Sequence, residues 1–399
     1  MIVVFCPFAA GYYLSYFYRY VNAVIAKDLV ADFGLAPSDL GLLTSAYFLS
    51  FAAAQIPLGV ALDRFGPRRC TAALFCVAGL GALVFGLARD LTMLSIGRAL
   101  IGLGVSAGLM GSIKAFTLWF PRERLTALSG WMIGIGSVGT LSATAPVEAL
   151  LGPFGWRALF FGLAALSVMA AALIFFVVPE RALPGQGEPL RQQLRMVGRI
   201  FARVDFWRLA VPLVICQATF QALQGLWFGP WLADVHGLGR GAAADYLFWS
   251  AAAYMGASFA LGPFADFVQK RGVAALRFYQ VGMLVCTATF FPIAAGANRG
   301  ALLFLVLFAA TSIAAIIAYS LLTHLVPAAQ TGRVTTASNL LLFGTSFAIQ
   351  WGVGAILGYW PSAQGHYDPE AYRVAFGLLA AAQAAAAAWL LTAKTQARL

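Results

Sequence analysis

The sequence predicts an all-α polytopic membrane protein, with twelve transmembrane helices arranged as two six-helix halves (6+6). Three observations predict it. Hydrophobic residues fill 61% of the 399 positions and charged residues only 10%, with a mean hydropathy of +0.82. So little charge cannot cover a soluble domain of this length. Twelve apolar windows, each near the ~20 residues needed to cross hydrocarbon, divide six and six around one long polar stretch. A short charged motif also occurs twice, half a chain apart, which marks an internal duplication.

The windows run over about 2–26, 38–62, 70–88, 91–118, 125–150, 156–178, 207–232, 243–265, 275–297, 300–325, 333–358 and 371–393. The polar stretch 180–206 opens with turn residues and continues as a basic amphipathic pattern suited to a membrane surface. The expected organisation is therefore a bundle over 1–179, a cytosolic linker over 180–206 and a second bundle over 207–399. The first window starts at Ile2 without a basic flank or a small-residue cleavage site, so no cleavable signal peptide is expected. The missing cytosolic flank points to a start upstream of Met1.

The formal charge of +11 would suggest nucleic acid in a soluble protein, but here placement matters more than the sum. With both termini cytosolic, seventeen Lys and Arg fall on the inner side and six on the outer; Arg19, Arg98 and Lys114 remain within the membrane. That bias sets the orientation and implies a multi-pass protein of the cytoplasmic (inner) membrane. The expected partners are lipid and a small solute, with no nucleic acid, and the expected state is a monomer. The five cysteines lie in or beside apolar runs without a C-x-x-C pair. They imply no disulfide framework, zinc site or cofactor.

The duplicated motif is Gly59, Asp63, Arg64, Gly66, Arg68 and Arg69, matched at an offset of 203 by Gly262 and Asp266 and followed there by Lys270, Arg271 and Gly272. Gly59 permits close helix approach. Asp63 lies one turn on, over the same face. Gly66 and Pro67 make a tight turn that the arginines hold in the cytosol. An Asp beside arginines and a helix N-terminus is a breakable conformational latch. The plain alternative is a positive-inside loop with no moving part.

These residues resemble the helix 2–3 signature of the major facilitator superfamily, G-x-x-x-D-R-x-G-x-R-R. The first half is similar to organic-anion carriers of the anion:cation symporter group. Tyr16, Arg19 and Asn22 match their Y-x-x-R-x-x-N pattern; Arg98, Gly102 and Gly104 are followed by Trp119-Phe120-Pro121 and Glu123-Arg124; Gly155-Trp156-Arg157 opens window six. The resemblance implies the major facilitator fold and secondary transport by alternating access. Two acidic positions that the group associates with proton coupling are here Tyr18 and Val105.

Arg19 is the sharpest candidate. A mid-membrane arginine is costly unless it faces water or a partner, and its fork matches a carboxylate or phosphate. The structural alternative is an arginine bonded to carbonyls at a helix break. Tyr16 shares its face, and Asn22 lies one turn on. Arg98 is as well suited to holding a neighbouring helix as to touching substrate. Lys114, 16 residues later, lies about 160° away around the helix, and snorkelling competes with a substrate role. In the second half Gln217, Gln221 and Gln224 form a stripe at i, i+4, i+7, and window eleven repeats the design with Asn339, Ser346 and Gln350 at i, i+7, i+11. Amides on one face either line a polar cavity or bond helix to helix. Glu148, near the outer end of window five, is the candidate proton relay if the solute's own ionisation does not supply the proton.

Gly104-Val105-Ser106-Ala107-Gly108 fits a hydrolase elbow, and Gly134, Gly136 and Gly139 fit a dinucleotide loop. No strand precedes either, so both read as helix packing. Scattered His and Met give no metal set, and no nucleophile–base cluster suggests an enzyme. The expected substrate is a small organic anion. A neutral or zwitterionic solute, a metal ion, or a sensor that keeps the fold without transport remain the alternatives.

Overall fold

The computed structural model describes residues 2–181, 190–297, 299–326, 331–361 and 366–393. Lys394 and Arg398, counted above on the inner side, lie outside the described residues, as do the side chains of Arg122, Glu123 and Arg191. Contacts divide the chain into two compact units, Met1–Gln193 and Leu194–Leu399. The boundary falls inside the polar stretch 180–206.

The first unit holds α1 (Ile2–Tyr20), α2 (Asn22–Phe33), α3 (Pro37–Gly86), α4 (Leu91–Val105), α5 (Ala107–Trp119), α6 (Arg122–Ser142) and α7 (Ala145–Ala172), which ends in a π-turn over Leu173–Val177. Window one is thus two helices, interrupted at Val21. Window four is likewise split at Ser106, whose hydroxyl donates to Leu103 O at 2.7 Å. The fifty residues of α3 are a hairpin. At Gly66 the backbone leaves the helix (φ 82, ψ 159), and Cys70 Sγ returns to within 3.1 Å of Ala61 O. Gly155 (φ 71, ψ 165) breaks α7 in the same way. Beyond that break Trp156 donates its indole N–H to Asp32 at 2.9 Å. Arg157 donates to the last carbonyl of α3, at Gly86, and to that of Ala88 just beyond it, at 3.0 and 2.9 Å. Backbones approach closely at the small residues: a methyl at Gly104 would meet the Ala78 backbone, and one at Gly139 the carbonyl of Tyr13. The false hydrolase and dinucleotide patterns therefore sit at helix contacts.

The second unit holds α8 (Leu190–Phe201), α9 (Val204–Ala222), a π-turn over Leu223–Trp227, α10 (Phe228–Asp234), α11 (Arg240–Lys270), α12 (Ala275–Ala294), α13 (Ala301–Ser312), a 3₁₀ turn over Ile313–Ile316, α14 (Ile317–Thr323), α15 (Thr331–Leu357) and α16 (Pro369–Leu391). In α8, Val197 and Ile200 are buried while Arg195 and Arg199 are exposed, as the amphipathic pattern requires. At the duplication offset of 203, the break at Val21 falls on Gln224, inside the π-turn. Among the described residues eight helical stretches are long and apolar enough to cross a membrane. One of these is the α3 hairpin.

Candidate functional site

In the first unit, the interruption at Val21 organises the polar residues. Beside it, Arg98 Nη1 donates to the Tyr18 carbonyl at 3.0 Å. Arg98 is 1% exposed and lies 5.2 Å from the Tyr47 ring. Tyr18, which stands at one of the acidic positions of the resembling group, anchors α1 to α7. Its hydroxyl lies 2.9 Å from both Leu163 O and Ser167 Oγ. Tyr47 donates to Ser15 O at 3.1 Å.

Arg19 is buried among aromatic rings: its guanidinium carbon lies 4.6 Å from the centroid of Tyr16, 5.5 Å from Phe51 and 6.0 Å from Tyr47. Tyr12 donates to Tyr16 Oη at 3.3 Å. Asn22 is fully buried, and neither atom of its amide has a partner among the described residues. The fold therefore brings Tyr16, Arg19 and Arg98 around Tyr47, with Asn22 one turn on. Arg98 is engaged by backbone.

Lys114 does not join them. Its Nζ lies 2.6 Å from Asp63 Oδ1, because its position on the far side of the helix from Arg98 turns it toward the motif. The motif predicts Arg64, Arg68 or a helix end as the group that holds Asp63; the side chain paired with it is Lys114. Arg68 instead donates Nε to Phe175 O at 2.7 Å, and Arg68 and Arg69 face Glu180 at 3.6 and 2.5 Å. Arg64 lies over the Phe65 ring at 5.2 Å. In the second unit Asp266 and Gly262 are exposed, and Arg271 stacks 4.0 Å from Phe267. Glu148 is half-buried in the first turn of α7.

The glutamine stripe separates into two kinds. Gln217 donates to Ser312 O at 3.2 Å and accepts from Tyr254 at 3.4 Å. Gln224 donates to Leu247 O and accepts from Ser250, both at 3.0 Å. Those two bond helix to helix. Gln221 lies between them, 5% exposed, with its carbonyl oxygen unpartnered among the described residues. Across the unit, Trp227 donates to Gln350 O at 2.9 Å, Tyr319 to Asn339 Oδ1 at 2.7 Å, and Ser346 back to Leu342 O at 2.8 Å.

Asp234 closes α10. Its carboxylate is 2% exposed and accepts from Tyr372 at 2.8 Å and from the Tyr367 amide at 3.2 Å, with His366 Nδ1 at 2.7 Å. Burial and the nearby Asp234 charge push the Tyr367 phenol up to about 12. Partial burial lowers the neighbouring His236 imidazole. The signal for this cluster was long-range, with partners more than a hundred residues apart.

Comparison with known proteins fixes the lineage. The sequence model of the Major Facilitator Superfamily matches residues 8–350. The "Probable sulfoacetate transporter SauU" of Cupriavidus necator is 30% identical over 158 residues, 39% of this chain and 36% of that protein. The "Triacylglyceride transporter" of Mycobacteroides abscessus is 31% identical over 202 residues, 49% of this chain and 38% of that protein. The chain thus spans little more than a third of the length of these relatives. The crystal structure of a D-xylose–proton symporter aligns over 98% of this chain and 97% of that one, with a TM-score of 0.74 at 17% identity. With the family model covering most of its length and the fold shared end to end, this chain belongs to the major facilitator superfamily.

Proposed function

We propose that the protein is a secondary active transporter, not an enzyme, that moves a small organic anion bearing a carboxylate or phosphate by alternating access. The names of its relatives and structural neighbour span an anion, a lipid and a sugar, so the substrate class is argued from the site. The observation that carries the reading is Arg19: a guanidinium buried in aromatic rings at the interruption of α1, one turn from the unpartnered amide of Asn22. A buried cation with a planar fork suits a carboxylate or phosphate, and an amide beside it supplies a neutral donor. Gln221 adds an open acceptor in the second unit. The reading includes twelve crossings in a 6+6 plan, with the Gly66 and Gly155 reversals each separating two of them. It also includes cytosolic termini in a cytoplasmic (inner) membrane, a monomeric state, and a proton supplied by the solute's ionisation or relayed by Glu148.

The test is counterflow in proteoliposomes, guided by a thermal-stabilisation screen over carboxylates, phosphates and neutral solutes. An anionic solute should both stabilise and exchange. Arg19→Lys should weaken binding by about 1–3 kcal/mol, because the charge stays and the fork is lost, and Arg19→Gln should be nearly inactive. Exchange of neutral solutes alone, with Arg19→Gln fully active, would overturn the reading.

A further inference from the structure

A cavity of about 380 Å³ opens in the first unit between the Gly66 turn, the end of α5 and the chain after the π-turn. Arg64, Arg68, Arg69 and Arg181 line it, with the indole of Trp119 and one carboxylate, Glu180. Glu180 faces Arg69 at 2.5 Å and Arg68 at 3.6 Å. Arg181 donates to Leu118 O and lies 5.2 Å from the Trp119 ring. Arg68 is fixed in turn by Phe175 O. Each guanidinium carries five N–H donors in a rigid fork, and these contacts use few of them.

Four cations around one carboxylate repel one another until a further anion joins them. Because carbonyls and rings already hold Arg68 and Arg181, binding orders little that is not ordered beforehand. The apolar surroundings are as specific as the charge. Phe65, in the cavity wall, is 54% exposed, and Phe176, edge to face with Phe175, is 80% exposed. Aromatic rings beside a guanidinium cluster fit the boundary between headgroup and chain in a lipid.

We propose that this cavity binds a phosphate-bearing anion, supplied by the headgroup of an acidic phospholipid or by soluble phosphate. The site goes beyond the proposed transport function and needs no knowledge of the carried solute. The full chain, stripped of lipid in a neutral detergent, would be titrated with phosphatidylglycerol, phosphatidylcholine and inorganic phosphate. Native mass spectrometry and thermal denaturation would read binding. Phosphatidylglycerol should bind and raise the melting temperature well above phosphatidylcholine. Arg181→Gln, and independently Arg64→Gln, should weaken it about tenfold, the loss of one charge-assisted hydrogen bond. Arg89→Gln, an exposed arginine outside the cavity, should not. Binding of inorganic phosphate with the same variant pattern would assign the soluble source, and lipid binding without it the membrane source. Binding of neither, a response equal to that of phosphatidylcholine, or undiminished affinity in both cavity variants would overturn the proposal.

Discussion

In the first unit the turn after the motif glycine is closed by charge, with Asp63 on Lys114 and Arg68 and Arg69 on Glu180. In the second unit the matching stretch keeps Gly262, Asp266 and a basic pair, but Gln269 stands at the repeat position of Gly66 and Gln383 at that of Glu180. The stretch Ala301–Thr323, which stands there in the place of α4 and α5, contains no lysine or arginine, so Asp266 has no counterpart of Lys114. The aspartate and a basic pair recur, while the turn backbone and the side chains around it have diverged. In the first helices of the halves the backbone position recurs and only the side chains differ. Both are interrupted at the same repeat position, but the interruption carries a cation, Arg19, in one and glutamines in the other.

The largest expected effect tests the latch. Asp63→Asn and Lys114→Met should each slow transport roughly tenfold, the size expected when one conformational state loses a contact of about 1–3 kcal/mol. The double variant should be no slower than either single one, and Asp266→Asn should transport at nearly the wild-type rate. Because the Asp63–Lys114 pair is a third exposed, its loss should hardly move the melting temperature. Equal rates for Asp63→Asn and wild type at matched expression would show that the two turns differ in appearance only.

Next in size is Arg98. Its removal leaves the Tyr18 carbonyl and a buried space uncompensated, so Arg98→Met should destabilise the fold by about 2–3 kcal/mol. A direct substrate role would instead appear as lost affinity at unchanged stability. Thermal denaturation and a binding titration on the same sample separate the two.

The apolar windows, the duplicated motif and the Gly66 turn were legible because composition and local spacing encode them. What could not be read was partner choice. Lys114 gave only the angle that took it away from Arg98; that it meets Asp63, 51 residues earlier, depends on how α3 and α5 pack. Windows one and four hid their interruptions because Val21 and Ser106 carry no breaker signal. The three glutamines looked equivalent, since periodicity reports a shared face and says nothing about which neighbours supply carbonyls. The cluster on Asp234 was invisible for the same reason.

The two turn glycines make a smaller test. Gly66 occupies φ 82, ψ 159, a region essentially closed to other residues, so Gly66→Asn should cost about 1–3 kcal/mol. Gly272, at φ 86, closes α11 with its N–H on Gln269 O at 2.8 Å and that of Val273 on Val268 O at 3.3 Å. That is a helix-end motif which asparagine tolerates, and an added Cβ there meets nothing within 4 Å. Gly272→Asn should therefore cost only a few tenths of a kcal/mol. Equal losses at both positions in thermal denaturation would erase this distinction between the halves.

The finest distinction lies within α9 and its π-turn, between neighbours one turn apart. Gln224→Met removes both the donor to Leu247 O and the acceptor for the Ser250 hydroxyl, leaving two buried polar groups unmatched at similar side-chain volume. A loss of about 1–3 kcal/mol is expected. Gln221→Met removes a carbonyl oxygen that has no partner among the described residues. Taking away an unmatched buried acceptor is close to neutral or stabilising, so the melting temperature should hold or rise. If Gln221 serves the solute, the cost should appear in affinity alone, as a weaker stabilisation by the anion found in the screen. A melting-temperature drop for Gln221→Met matching that for Gln224→Met, with solute affinity unchanged, would mean that all three glutamines bond helix to helix. Recognition of the solute would then rest on the first unit.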